Sequence, residues 1–138
     1  MTERGSATIE LTWLVVLLLV PFVYAVVAVF DTQRTAYAAS TASAAATRAF
    51  VQAPDESTAH QLAHRAADLT WRDFGVDVRP EIELRCVPAC FEPGGRVEAV
   101  VTTRQPLPLV PDAWGSSLAG IDISSTHTEP FGAYRGAP

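Results

Sequence analysis

The feature that most constrains this chain is an uncharged, apolar run at residues 11–30, close to the N-terminus. Fourteen of its twenty residues are Leu, Val or Phe. A helix rising about 1.5 Å per residue would span roughly 30 Å over this length, which is the thickness of the hydrocarbon core of a bilayer. The apolar part of a cleaved secretory signal is shorter, about 7 to 15 residues. The run therefore predicts a transmembrane helix that anchors the rest of the chain.

The charges beside this run predict its orientation. Arg4 precedes it, and Asp31 is the first residue after it. Because Lys and Arg concentrate on the cytoplasmic side of membrane helices, we expect the N-terminus inside and residues 31–138 outside the cytoplasmic membrane. Pro21 lies near the middle of the run and removes one backbone hydrogen bond. Either the membrane helix merely tolerates it, or the loosened turn adapts the helix for packing against other helices.

A single carboxylate, Glu10, stands at the inner edge of the run. A charged group at this place costs free energy unless it finds a partner, so it calls for a functional explanation. A plain signal-anchor helix offers none. Gly5 lies five positions before Glu10, and the small residues Ser6 and Ala7 follow the glycine.

The whole-chain composition limits what the rest can do. The chain has 138 residues and a net charge of −5, so one small domain beyond the span is all that its length permits. No basic patch is evident, which argues against nucleic-acid binding. The sequence contains neither a nucleophile-elbow motif nor a glycine-rich phosphate or dinucleotide motif. We therefore predict that the protein is not an enzyme and needs no cofactor or metal.

Beyond the span the pattern stays helical. Residues 31–53 are rich in alanine and contain neither Pro nor Gly, so one helix is expected from about residue 7 to residue 53. Small residues share one side of it and would let another backbone approach closely. These residues are Ala38, Ala42, Ala45, Ala46 and Ala49.

A second helix is predicted at residues 57–74. Pro54 ends or kinks the first helix, and Asp55 or Ser57 can cap the second. Gly75 suits the position after its end. The residues expected on its apolar face are Ala59, Leu62, Ala63, Ala66, Leu69 and Phe74.

From residue 76 onward, apolar and polar residues alternate as in half-buried strands. The alternation predicts strands at residues 76–86, 96–105 and 120–128. Packed antiparallel against the second helix, they would complete a small α+β head over residues 54–131. We expect a loop with apolar anchors at residues 106–119 and a loose tail at residues 132–138.

Cys86 and Cys90 are separated by three residues. If the head lies outside the cytoplasm, a disulfide closing a small loop at the tip of a hairpin is expected. A redox-active pair would more usually be spaced C-x-x-C before a helix, and a zinc site would need two further ligands. His60 and His64 share a helix face, but a zinc protease would need Glu where Gln61 stands. We predict ordinary solvated or partly packed histidines.

Gly5, four residues and then Glu10, directly before an apolar helix, resemble the cleavage signal of type IV prepilins. Residues 1–35 resemble the TadE-like family, the pilin-like minor components of tight-adherence (Tad/Flp) pili. The second half is more loosely similar to actinobacterial members, in its cysteine-bearing hairpin, its Pro-Leu-Pro stretch and its last strand. Many family members have Gln or Ser-Val after the glycine, where this chain has Ser6 and Ala7.

The resemblance implies cleavage by a prepilin peptidase between Gly5 and Ser6, so that residues 1–5 are a leader. It implies that Glu10 accepts a charge-assisted hydrogen bond from the amino terminus of a neighbouring subunit. The implied partners are the peptidase, other pilin and minor pilin subunits, an inner-membrane assembly platform and membrane lipid. The alternative is an unprocessed, signal-anchored binding or accessory protein outside the cytoplasm.

Overall fold

The computed structural model describes residues 4–107 and 120–132. It has the predicted α+β architecture: a long helix, a shorter helix and one antiparallel sheet with strand order β1-β2-β3. The elements are α1 (Arg4–Gln52), α2 (Glu56–Asp73), β1 (Glu81–Val87), β2 (Arg96–Pro106) and β3 (Gly120–Pro130).

Helix α1 is a single helix of 49 residues. It begins at Arg4, earlier than the predicted start near residue 7, and it passes through Pro21 without interruption. Pro54 follows its end, where a residue without a backbone N–H and with a fixed φ cannot continue the helix. One element therefore carries both the apolar run and the alanine-rich segment, as the composition predicts.

Helix α2 has a well-formed start. The Asp55 carboxylate accepts the backbone N–H of Thr58 at 2.9 Å and the hydroxyl of Ser57 at 2.6 Å. At the other end, Gly75 has a φ of +59°, which favours glycine. The Arg34 guanidinium of α1 donates from Nε to the carbonyl oxygen of Phe74. A basic side chain from α1 thus completes the C-terminal cap of α2.

The predicted apolar face of α2 is partly wrong. The structure buries Ala59, Ala63, Ala67 and Trp71. Leu62 and Leu69, which were expected on that face, are 39% and 63% exposed. The reason lies in α1, which packs against α2 and whose buried residues are mostly small, with alanine the commonest. Side chains as small as alanine let two helices approach closely, and a leucine would hold them apart.

The sheet packs against α1, and the prediction that α2 would cover it is wrong. Helix α2 lies mainly beside α1 and has only a small contact with β1. The covered face of β2 carries Val97, Ala99 and Val101, all fully buried. The C-terminal part of α1, residues 31–52, which we call its outer half, is therefore sandwiched between α2 and the sheet, and it forms the centre of the head.

The strands differ from their predicted bounds at two places. Residues 76–80 precede β1 instead of belonging to it, since β1 begins at Glu81, immediately after Pro80. The indole Nε1 of Trp71 donates to the carbonyl of Val78 at 2.8 Å and holds this segment against α2. Strand β3 continues past residue 128 to Pro130. Most of the predicted loop at 106–119 and of the tail at 132–138 falls outside the described residues.

The end of the head farthest from the N-terminus is closed by aromatic rings and a disulfide. The ring of Phe50 lies 5.8 Å from that of Phe91 and 6.2 Å from that of Phe131. Cys86 and Cys90 form a disulfide with their Cα atoms 5.1 Å apart. The disulfide prediction is confirmed, and the bond links the end of β1 to the turn before β2, at the tip of the hairpin as expected.

Candidate functional site

The N-terminal part of α1 up to Phe30, which we call its inner half, exposes almost all of its side chains over residues 8–30. Trp13 and Leu18 are 70% and 72% exposed, and most of the other large apolar residues of this half are similarly open. An apolar surface of this extent marks contact with lipid or with other proteins. Helix α1 is long and apolar enough to cross a membrane, within its portion Thr8–Gln52.

The residues expected to take part in processing and assembly lie on this same helix. Gly5 and Ser6 belong to the first turn of α1, and Glu10 is exposed on the following turn. Five positions at 3.6 residues per turn place Glu10 about 140° around the helix from Gly5. The structure therefore does not bring Gly5 and Glu10 together within one chain. Glu10 is accessible to a group on another molecule.

A cluster of polar contacts marks the place where α1 enters the head. The Thr35 hydroxyl donates to the Gln105 side-chain oxygen at 2.8 Å, which links α1 to β2. One residue earlier, Arg34 binds the carbonyl of Phe74 at the end of α2. A small polar cleft lies beside the contacts, lined by Asp31, Arg34, Thr35, Gln105 and the segment after α2. We name Arg34, Thr35, Phe74 and Gln105 the junction.

Sequence reasoning missed the junction. Its partners are separated by 40 residues in one bond and by 70 in the other, so no local pattern connects them. One signal was available: Arg34 is the first basic residue after the apolar run, and Gly75 was already expected at the end of a helix. A basic side chain near a helix C-terminus is a common cap.

A second polar contact between α1 and the sheet lies farther out. The hydroxyls of Ser43 and Ser125 are 3.4 Å apart, where α1 packs on β3. On the opposite face of the sheet, Arg85 pairs with Glu83 at 2.7 Å, and both side chains are more than half exposed. Such solvated pairs contribute little to stability. They form an ordinary charged surface.

The histidines do not gather into a site. His60 packs edge-on against Phe50, with ring centres 5.1 Å apart, while His64 on the next turn is exposed. In β3 the Nε2 atom of His127 lies 3.5 Å from a carboxylate oxygen of Glu129. Across residues 4–107 and 120–132, no group of three or more His, Cys, Asp or Glu side chains is placed to hold a metal ion.

Comparison of the chain with models of known protein families, with curated proteins and with solved structures gives no match.

Proposed function

We propose that the protein is a TadE-like minor pilin, a non-enzymatic structural subunit in the assembly of a Tad/Flp type IV pilus. The observation that carries the proposal is the division of α1 into an exposed apolar half and a half that forms the centre of a small head. A pilin-like subunit needs such a helix. The same apolar segment has to lie in lipid before assembly and against other helices afterwards.

Processing is assigned to the bond between Gly5 and Ser6, cut by a prepilin peptidase on the cytoplasmic side. Both residues are helical here, so the first turns of α1 must unwind to lie extended in a protease cleft. The first turns of a helix lack part of their hydrogen bonding and fray readily. Gly5 has no Cβ and weakens the helix further at the bond to be cut.

Glu10 is assigned to subunit pairing. After cleavage it is the fifth residue of the mature chain, and its carboxylate accepts a charge-assisted hydrogen bond from the amino terminus of a neighbouring subunit. Its exposure on α1 supports this role, since none of the described residues of the head covers it. In a low-dielectric surrounding, an unpaired carboxylate and an unpaired amino terminus would each cost free energy, so each favours pairing with the other.

The proposed location follows from the same helix. Residues 11–30 cross the inner membrane with the N-terminus in the cytoplasm and the head outside, and assembly carries the subunit into the pilus. The partners in this proposal are the peptidase, other pilin and minor pilin subunits, the assembly platform and lipid. The net charge of −5 supports no role for nucleic acid.

The intact mass of the protein from membranes, with and without the prepilin peptidase, tests the proposal. We expect a chain that begins at Ser6 only when the peptidase is present. A Gly5→Val variant should keep residues 1–5, because a branched Cβ hinders the extended approach to the cleft, while a Thr12→Ala variant serves as a control that is processed normally.

The second candidate is an unprocessed, signal-anchored accessory protein. One observation favours it: α1 already begins at Arg4, so Gly5 and Ser6 lie inside a regular helix and not in an extended segment. A chain that still begins at Met1 in the presence of the peptidase would establish this alternative and contradict the pilin proposal.

Pairing by Glu10 has its own test. We expect Glu10→Ala to insert in the membrane normally and to be lost from pili, because only the pairing step uses the carboxylate. Membrane fractionation and immunoblotting of sheared pili measure the two steps separately. Normal incorporation of Glu10→Ala would contradict the pairing role and leave the processing assignment standing.

A further inference from the structure

One face of the inner half of α1 lies directly beneath the head. Residues eighteen positions apart on a helix are separated by five full turns of 3.6 residues and point in the same direction. Leu17, Pro21, Tyr24 and Ala28 each precede a buried residue of the head by eighteen positions. Those buried residues are Thr35, Ala39, Ala42 and Ala46. We name the set Leu17, Pro21, Tyr24 and Ala28 the underside stripe.

The opposite side of the helix follows the same rule. Phe22 precedes Ser40 by eighteen positions, and Leu19 precedes Tyr37. Ser40 and Tyr37 are both exposed on the outer half of α1. The face that carries Phe22 therefore continues into solvent, while the underside stripe continues into the centre of the head.

The underside stripe carries the polar groups of the middle of the apolar run. Tyr24 has a hydroxyl, and Pro21 has no N–H to donate to the carbonyl of Leu17. Glu10 lies eighteen positions before Ala28 and thus on the same line at the inner edge. Among the run's described side chains, only Tyr24 and Ala28 are half-buried while the others are exposed.

Lipid chains offer no hydrogen bonds to these groups. Polar groups inside a membrane face other protein segments, because the alternative is an unpartnered donor or acceptor in hydrocarbon. In a helix the Cα–Cβ bond tilts toward the N-terminus, so in the proposed orientation Tyr24 starts toward the membrane interior and away from the outer surface. The stripe therefore calls for a polar group on a second membrane helix.

The head restricts what that second helix can be. Its base reaches down to Asp31, the first residue after the apolar run, through the cleft that Gly75 and Gln105 also line. A second copy packed symmetrically on the same stripe, at the same depth, would place its own head in the space that the first head fills. The partner must instead end, or turn away, at the membrane surface.

We infer that the underside stripe binds a transmembrane helix of a different protein, one that has no folded domain directly beyond its outer end and that offers a hydrogen-bonding group near Tyr24. The inference rests on the proposed membrane-spanning assembly role, and it specifies the face and the kind of partner. The head acts as a steric filter above the stripe and excludes partners with bulky outer domains.

Site-specific photo-cross-linking of the full chain in its native membrane tests the inference. A benzoylphenylalanine residue replaces Tyr24 in one variant and Phe22 in a matched control, both aromatic positions of the same run. We expect the position of Tyr24 to give severalfold more adduct than that of Phe22, because only the underside stripe faces the partner helix. Mass spectrometry of the adduct should map the cross-link to the single membrane helix of a chain without an outer domain.

Three results would overturn the inference: equal adduct yields from the two positions, an adduct of two copies of this chain, or adducts with lipid alone. A second variant tests the hydroxyl. Because a hydrogen bond between membrane helices contributes roughly 0.6 kcal/mol, Tyr24→Phe should weaken association about threefold, and unchanged association would remove Tyr24 from the interaction.

The intact mass of the same preparations separates this inference from the proposed function. A chain beginning at Ser6 without a selective adduct at position 24 would refute the inference and leave the pilin proposal intact. A chain beginning at Met1 with the selective adduct would refute processing and retain the partner helix.

Discussion

Phe30 and Phe50 lie on the same helix, yet Phe30 is 67% exposed and Phe50 is fully buried. The inner half of α1 uses Leu, Val and Phe, large residues that gain most from leaving water for lipid. The outer half uses Ala, Ser and Thr, small residues that let α2 and the sheet come close. One helix is thus adapted to two surroundings. The change from large to small residues marks the boundary between them.

The largest test of this comparison is the pair Phe50→Ala and Phe30→Ala. Removing the buried ring leaves a cavity among Phe91, Phe131 and His60, so Phe50→Ala should lower the free energy of unfolding of the head by about 3–5 kcal/mol. Phe30→Ala should leave it nearly unchanged. Urea unfolding of the chain in lipid nanodiscs, followed by near-UV circular dichroism, measures both. Equal effects of the two substitutions on the free energy of unfolding would contradict the division of α1 into an exposed half and a half that forms the centre of the head.

A smaller effect is expected from enlarging the alanine contacts. Ala46 is fully buried, so Ala46→Leu should force the elements around α1 apart and destabilise the head by roughly 1–3 kcal/mol. Ala36→Leu, on the exposed side of the same segment, is the control and should have little effect. A tolerated leucine at position 46 would show that the contacts of α1 in the head can adjust, against the close packing described above.

The next test concerns the junction, which lies at the boundary between the two halves of α1. Arg34→Ala removes the guanidinium that donates to the Phe74 carbonyl, and we expect the free energy of unfolding to fall by about 1 kcal/mol, typical of one exposed hydrogen bond. Arg48→Ala, an exposed arginine on the same helix, is the matched control. Hydrogen exchange of the amides in the last turn of α2 should rise for Arg34→Ala alone, since the Phe74 carbonyl loses its partner and the turn frays more readily. Equal exchange in both variants would deny Arg34 a capping role.

The smallest effect concerns pH at the start of α2. Hydrogen bonds from the Ser57 hydroxyl, and from the backbone and hydroxyl of Thr58, lower the pKa of Asp55 from 3.8 to about 2. Because the folded-state pKa is the lower one, this stabilisation is fully present above pH 3.8 and is lost as the pH falls through about 2. Asp55→Asn should flatten that part of the stability profile. If the slope of stability against pH were unchanged in Asp55→Asn, other carboxyl groups would account for the pH dependence.

Most of the architecture was predictable because its signals are local. The apolar run, the alanine-rich continuation, Pro54 and the Asp55 cap each act within a few residues, and α1 and α2 follow from them. The alternation in β2 and β3 likewise predicts their strands closely. In contrast, β1 is shorter than its alternating pattern, because Pro80 has no N–H to pair with a neighbouring strand.

The faces of the elements were harder to predict. Leu62 and Leu69 have the greater hydrophobicity on α2, yet Ala63 and Ala67 are buried. Which residues of α2 are buried depends on how closely α2 approaches α1. The sequence of α2 alone does not hold that information. The junction likewise depends on residues far apart in the chain. The processing residues Gly5 and Ser6 and the pairing residue Glu10 remain predictions, because their roles involve other molecules.

The contacts at Arg34 and Thr35 also have a mechanical consequence. They fasten the head to α1 within the first turns beyond the apolar run, so no slack tether separates the two. From Thr35 to Gln52 the helix extends about 26 Å, and a membrane tilt of about 20° would swing its far end sideways by about 9 Å. The head therefore behaves as a rigid lever whose direction reports the tilt and rotation of the apolar run beneath it.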